Sequence, residues 1–246
     1  MSKLAGLFIT GTDTDAGKTV STLLLAHGLM ERGIETEPYK PVQSGAEWTG
    51  GEWKAPDAEM YKLLSKVKDD KLYTYLFKKA SSPHLAAEEE GTTIDEAMLI
   101  EEIKRRASGR SLLLIEGAGG LYVPLNRKGR CMIDVMGEVN LPVVIAAKAG
   151  LGTINDSMLT IESLKKRKLP IAGLVFSSTV PGEEEIEQDN LEMIHQLSGL
   201  PVIGHIPFIA DIKKSLKDSR YRSALIKDWK FNELMEEIKN GCETTV

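Results

Sequence analysis

Short apolar runs alternate along the chain with stretches of longer period. Six runs read as strands: Leu4–Thr10, Ile34–Tyr39, Ser111–Glu116, Pro142–Ala147, Ile171–Phe176 and Pro201–Ile206. Most are apolar at consecutive positions, the pattern of strands covered on both faces. Between them the spacing becomes helical. Val20–Arg32 sets Leu24, Leu25, Gly28 and Leu29 on one side, and Ile94–Ala107 repeats Ile94, Ala97, Met98 and Ile103 less cleanly. Thr153–Lys168 and Glu184–Leu197 follow the next two strands, and a further helix-like run passes through Met60, Leu63 and Leu64. Strand and helix in alternation predict an α/β fold, a doubly wound and mostly parallel sheet with helices on both faces. No repeat or low-complexity linker divides residues 1–246, so a single domain is expected. Trp48–Ala55 is turn-rich and reads as a surface loop, and the polar end Asn240–Val246 as frayed.

Ligands of such sheets gather at the carboxyl ends of the strands, and most polar motifs of this chain fall there. The first run leads into Gly11-Thr12-Asp13-Thr14-Asp15-Ala16-Gly17-Lys18-Thr19 and then a helix beginning near Val20. This is a phosphate-binding loop of the G-x-x-x-x-G-K-T kind, with five residues instead of four between Gly11 and Gly17. Successive backbone N–H groups and a helix N-terminus converge there on a polyphosphate. Lys18 adds a mobile charge for the outer phosphates, and the Thr19 hydroxyl suits Mg²⁺.

The later strand ends extend this picture. Lys40, in Tyr39-Lys40-Pro41-Val42-Gln43-Ser44-Gly45, can neutralise charge on a transferring phosphoryl group, and Ser44 can hydrogen-bond a small anion. An ordinary polar turn is the alternative there. Asp57 precedes a helical run and reads by itself as an N-cap. Glu116 closes the third run before Gly117-Ala118-Gly119-Gly120, where a nucleoside triphosphatase places its metal-side carboxylate. Thr19, Asp57 and Glu116 then make a hard-oxygen set for Mg²⁺. In Gly150-Leu151-Gly152-Thr153-Ile154-Asn155-Asp156 the spacing of Thr153 and Asp156 fits a helix cap, and the Gly-rich turn equally fits a carboxylate site.

Composition removes several classes. A net charge of −5 gives no footprint for nucleic acid or an anionic membrane. The run Lys165–Lys168 ends a helix before Pro170, where cations meet the helix dipole favourably. Cys131 and Cys242 are far apart, and His27, His84, His195 and His205 have no mutual metal spacing. No serine sits in a hydrolase elbow. Neither a signal peptide nor a bilayer-length apolar stretch is evident, so a soluble cytoplasmic protein is expected.

Taken together, the phosphate loop, the Lys-Pro-Val turn, Ser82-Pro83-His84, Glu116-Gly117-Ala118-Gly119-Gly120 and Gly152-Thr153-Ile154-Asn155 resemble, in content and order, the dethiobiotin synthetase family. The resemblance runs from the first strand to about Asp211. It implies a Mg²⁺- and ATP-dependent ligase of biotin synthesis acting on 7,8-diaminopelargonic acid and CO₂. By likeness to the family, Lys40, Lys18 and Thr14 are catalytic, with Thr14, Lys40 and Ser44 at the carbamate. ATP falls to Asp15, Ala16, Gly17, Lys18, Thr19, Val20, Asp57, Glu116, Gly117, Ala118 and Gly119. Ser177, Ser178, Ile206, Pro207 and Phe208 border the base. The substrate carboxylate falls to Gly150, Leu151, Gly152, Thr153, Ile154 and Asn155, at a homodimer interface. Asp15 stands where better-known members carry Glu, and Ser177-Ser178 where some carry Asn-Asp for adenine. A serine lacks the paired donor and acceptor of an amide. A partition-type regulatory ATPase is the alternative, but such proteins usually place a second lysine early in the loop, where this chain has Asp13 and Thr14.

Overall fold

The computed structural model describes residues 5–64 and 72–243, the side chains of 241–243 excepted. β1 (Gly6–Gly11) passes through the phosphate loop into α1 (Lys18–Glu31), then β2 (Thr36–Ser44). A hairpin, β3 (Glu47–Thr49) and β4 (Glu52–Lys54), precedes α2 (Pro56–Tyr61) and β5 (Tyr73–Phe77). α3 (Pro83–Glu89), α4 (Glu96–Ala107), β6 (Leu112–Glu116) and α5 (Met132–Val139) come next. The second half alternates β7 (Val143–Lys148), α6 (Thr153–Lys166), β8 (Ile171–Ser177), α7 (Glu184–Ser198) and β9 (Val202–Ile206). α8 (Ile212–Ser215), α9 (Ser219–Leu225) and α10 (Phe231–Glu243) follow.

Seven strands form one sheet in the order β5-β2-β6-β1-β7-β8-β9, and every neighbouring pair is parallel. Side-chain alternation divides the core into two layers. Leu7 and Ile9 of β1 face the leucines of α1 and Phe231 and Leu234 of α10. Phe8 faces the opposite layer, where α4, α5, α6 and α7 contribute Leu99, Ile133, Ile161 and Ile194. The doubly wound sheet is therefore as expected, and it brings the carboxyl ends of β1, β2 and β6 side by side.

Several details differ from the sequence reading. β2 continues five residues past Tyr39, through Pro41 to Ser44, so Lys40 lies within a strand. Its prolines fit because neither owes the sheet an N–H. Lys40 N donates to Leu72 O on the β5 side, so the nitrogen of Pro41 turns the other way. There the pairing with β6 has ended at Tyr39. Trp48–Ala55 is largely an antiparallel hairpin rather than a loop, and its Trp48 and Trp53 rings pack edge to face. β5 and α3 carry no clear periodicity, whereas α5 has a helical one, Met132, Ile133, Val135, Met136 and Val139, that the sequence reading passes over. β5 is a half-buried edge strand, and the two helices run only 7 and 8 residues. α10 continues to Glu243, beyond the point at which its polar sequence suggests fraying. Leu4 and residues 244–246 lie outside the described residues.

Two capping expectations also fail. Gly152 is the N-cap of α6, so Thr153 is already helical and its hydroxyl meets Ser157 at 3.4 Å. Ala55 caps α2, with Pro56 at its first position, which moves Asp57 inside the helix and frees its carboxylate.

Candidate active site

The phosphate loop is shaped by two glycines. Gly17 has φ 85°, and a Cβ there would collide with Ser177 Oγ, so no other residue fits without strain. At Gly11 a Cβ would lie 2.6 Å from Asp13 O and 2.8 Å from Lys18 Nζ. That close approach accounts for the displaced first glycine. The lengthened loop folds back so that the Lys18 ammonium donates to Asp13 O at 2.8 Å. Burial pushes the Lys18 pKa down, with Lys40 nearby acting in the same direction and Glu116 opposing.

A buried polar network lies beside the loop. Glu116 ends β6, next to Ile9 of β1, and is 1% exposed. Its Oε1 accepts from Thr19 Oγ1 at 3.0 Å and from Lys40 Nζ at 2.5 Å. Its Oε2 accepts the hydroxyl of fully buried Tyr61. Lys40 also donates to Asp57 Oδ2, so its ammonium bridges the two carboxylates. Burial alone would lower the Lys40 pKa, but Glu116 and Asp57 outweigh it and hold the group above the ordinary lysine value. For Asp57, burial acts upward, and Lys40, Thr19 and Gln43 together bring the pKa below the usual carboxylate value.

Above this network opens a cavity of about 380 Å³. Of the expected residues, Thr14, Asp15, Gly17, Lys18, Thr19, Val20, Lys40, Ser44, Asp57, Glu116, Ala118 and Gly119 line it. Ala16 is buried, and Gly117 is tied into the sheet by its N–H to Ile9 O at 2.9 Å. Neither lines the cavity. Gln43 does line it, and Tyr61 supports it from below, yet the sequence reading singled out neither. Tyr61 carried a legible signal: it stands four residues after Asp57, on the same side of a helix.

The hydroxyl set is committed differently around the expected base region. Ser177 Oγ is buried against Gly17 with no hydrogen-bond partner. Ser178 Oγ donates to Glu187 Oε2 at 2.5 Å and lies 2.8 Å from His205 Nε2. Burial lowers the His205 pKa, opposed by Glu187. Ser178 N binds Ile206 O at 2.9 Å, which brings Ser177-Ser178 beside Ile206, Pro207 and half-exposed Phe208.

Gly150–Asn155 stands apart from the phosphate cavity. Asn190 Nδ2 holds the turn through Ala149 O at 2.9 Å and Gly150 O at 3.2 Å, and Leu151 is 83% exposed. A second depression of about 470 Å³ runs from Thr12 and Asp13 past Tyr122 to Asp156 and Leu159 of α6. Among the described residues no helix is long and apolar enough to cross a membrane.

The donor chemistry fits a triphosphate and a hard cation. Two carboxylates and a hydroxyl supply only oxygen, and no larger cluster of His, Cys, Asp or Glu occurs among the described residues. Such a sparse set suits Mg²⁺, which keeps several of its waters.

Comparison with known proteins shows the family. An AAA domain family model matches residues 5–215. The ATP-dependent dethiobiotin synthetase of Halalkalibacterium halodurans is 44% identical over 94% of this chain and 98% of its own. The enzyme of that name from Bacillus thuringiensis is 36% identical over 99% of this chain and 98% of its own. Among solved structures, the cell division ATPase MinD of Pyrococcus furiosus aligns with a TM-score of 0.57 at 19% identity, covering 96% of this chain and 99% of that one. The pNOB8 ParA structure bound to nonspecific DNA aligns with a TM-score of 0.60 at 10% identity over 96% and 99%. Those two share the fold, a P-loop NTPase with a parallel sheet, whereas identity along nearly the whole chain is with the ligases. The chain belongs to the ATP-dependent dethiobiotin synthetase family.

Proposed function

We propose that this protein, as one cytoplasmic domain, converts 7,8-diaminopelargonic acid, CO₂ and ATP into dethiobiotin, ADP and phosphate. The observation that carries the reading is the meeting of Lys18, Lys40, Thr14 and Ser44 around one cavity, in a chain 44% identical to a named dethiobiotin synthetase. One substrate amine adds to CO₂, loses a proton and becomes a carbamate. A carbamate oxygen attacks the γ-phosphorus of ATP, the bond to ADP breaks, and a carbamic–phosphoric anhydride forms. The second amine then attacks the carbonyl carbon, phosphate leaves, and the ureido ring closes.

The difficulty is bringing two anions together, and the site is built for that. The loop amides and Lys18 hold the triphosphate. Thr14 and Ser44 position the carbamate by hydrogen bonds. Lys40 faces developing charge on the phosphoryl group. Thr19, Asp57 and Glu116 would hold Mg²⁺, which supplies charge neutralisation to the β- and γ-phosphates when bound. With that charge supplied, Lys40 would no longer have to serve both carboxylates alone, and its ammonium could face the reacting oxygens. Little covalent participation by the protein is needed, because positioning and charge do the catalysis.

The substrate carboxylate would be received by the turn Gly150–Asn155 across a homodimer interface. Exposed Tyr122 and Leu159 beside the second depression, and exposed Leu151 in the turn itself, support that pairing as large apolar side chains open to a cover. The test is a mass-spectrometric assay with the diamine, labelled bicarbonate, Mg²⁺ and each nucleoside triphosphate in turn. Labelled dethiobiotin with one phosphate per turnover is expected, and the series ranks the nucleotides. Hydrolysis without that product would replace this reading with a regulatory ATPase.

A further inference from the structure

We propose that Tyr61 is a positioning residue that, by holding Oε2, fixes the orientation of the Glu116 carboxylate for the metal, a reading that rests on the Mg²⁺ set proposed above. A carboxylate at the end of a strand can rotate about its last torsion, and two of its oxygens need partners when it is buried. Glu116 Oε1 is shared by Thr19 and Lys40. Oε2 has Tyr61. Were Lys40 to face substrate instead, Tyr61 and Thr19 would be the protein donors left on this carboxylate.

The phenol is costly to bury for packing alone. Its ring sits in a small satellite cluster with Ala55, Ala58 and Leu72, where a purely apolar side chain would fill the space. A hydroxyl taken from water needs a partner, and the partner here is the carboxylate at the catalytic centre. Helix geometry accounts for the pairing. α2 starts at Pro56, so Asp57 and Tyr61 lie one turn apart and face the same network. One short helix thus supplies a candidate metal ligand and the hydrogen bond that orients the other. Donors behind a ligand fix its rotamer and tune its basicity, as second-layer partners do at metal sites generally.

The test uses Mn²⁺ as a spectroscopic probe, bound with adenylyl imidodiphosphate to the full chain and read by electron paramagnetic resonance. Tyr61→Phe keeps the ring and removes the hydroxyl. It is expected to weaken Mn²⁺ binding about tenfold, with nucleotide affinity in a chelator unchanged. Tyr61→Leu should weaken Mn²⁺ equally while lowering the melting temperature further, because it also opens a cavity. Glu116→Ala reports on the metal set itself. Wild-type Mn²⁺ affinity in Tyr61→Phe, with binding lost in Glu116→Ala, would overturn the role of Tyr61 and leave the metal set standing. Equal Mn²⁺ binding by wild type and Glu116→Ala would remove the metal set and this proposal together.

Discussion

Lys40→Ala separates the two tasks assigned to this ammonium, and the metal-free protein is where the first of them shows. Lys40 is 5% exposed and Glu116 1%, so the substitution leaves a buried carboxylate facing Asp57 with no cation between them. Breaking a buried pair in this way costs about 3–5 kcal/mol. Partly exposed Asp57 can recruit water, so the lower end, about 3 kcal/mol, is the expectation. For a chain of this size that lowers the melting temperature by about 6–12 °C. Urea unfolding in a chelator measures it. Mg²⁺ should return part of the loss to the variant, since a divalent cation can replace the missing charge, while changing the wild type less. Replacing Glu116 by Gln in the same variant should also recover stability, because it removes the orphaned charge. Equal stability of Lys40→Ala and wild type in chelator would refute the counter-cation role. The second task is read by kinetics: turnover should fall more than nucleotide affinity, because the charge matters most as the phosphoryl group transfers. Equal loss of both would make Lys40 a binding residue only.

Other perturbations test separate parts of the site and scaffold. Gly17→Ala puts a Cβ at φ 85° against Ser177 Oγ, and should lower nucleotide affinity by more than tenfold, about 1.4 kcal/mol or more. Isothermal titration calorimetry checks it, and Ser177→Gly in the same chain should recover part of the loss. Gly28→Ala meets the buried Phe231 ring across the α1–α10 contact and should cost about 1–3 kcal/mol of stability in urea, with turnover of the folded fraction unchanged. Glu102 has a pKa lowered to about 2 by Arg105 and Arg106, so its stabilisation is complete above its ordinary 4.5 and disappears as pH falls between those values. Being near the surface, it should contribute only about 0.5–1 kcal/mol at neutral pH. Glu102→Gln compared with wild type in urea at neutral and acid pH would show that difference shrinking to nothing.

The sheet was legible because its strands are buried on both faces. Runs such as Leu112–Ile115 and Val143–Ala147 carry no polar position to confuse them. The phosphate loop was legible because backbone geometry demands glycine and phosphate demands lysine, and both requirements fall on neighbouring residues. β5 is hard to read because it is a half-buried edge strand, without the continuous apolar run of the inner strands. The end of β2 escaped because proline usually stops a strand. Whether Pro41 does so depends on where β6 ends, which is a fact of the whole sheet and not of the local sequence. Tyr61 was missed for a related reason. A buried tyrosine reads as core, and its place one helical turn after Asp57 points to the site only once Asp57 is itself taken as a site residue rather than a cap.

Fold and chemistry part company at the loop. MinD and ParA share the parallel sheet, but a shared sheet does not determine the reaction that a bound nucleotide serves. In this chain a second lysine reaches the phosphate cavity from β2, just past the point where that strand outruns β6. There Lys40 balances Asp57 and Glu116 from inside the protein. A residue held this way has its cation oriented before substrate arrives, at no cost in side-chain freedom when the reaction begins. A metal held as proposed by Asp57 and Glu116 would share both carboxylates with Lys40, which would couple the lysine to the metal site.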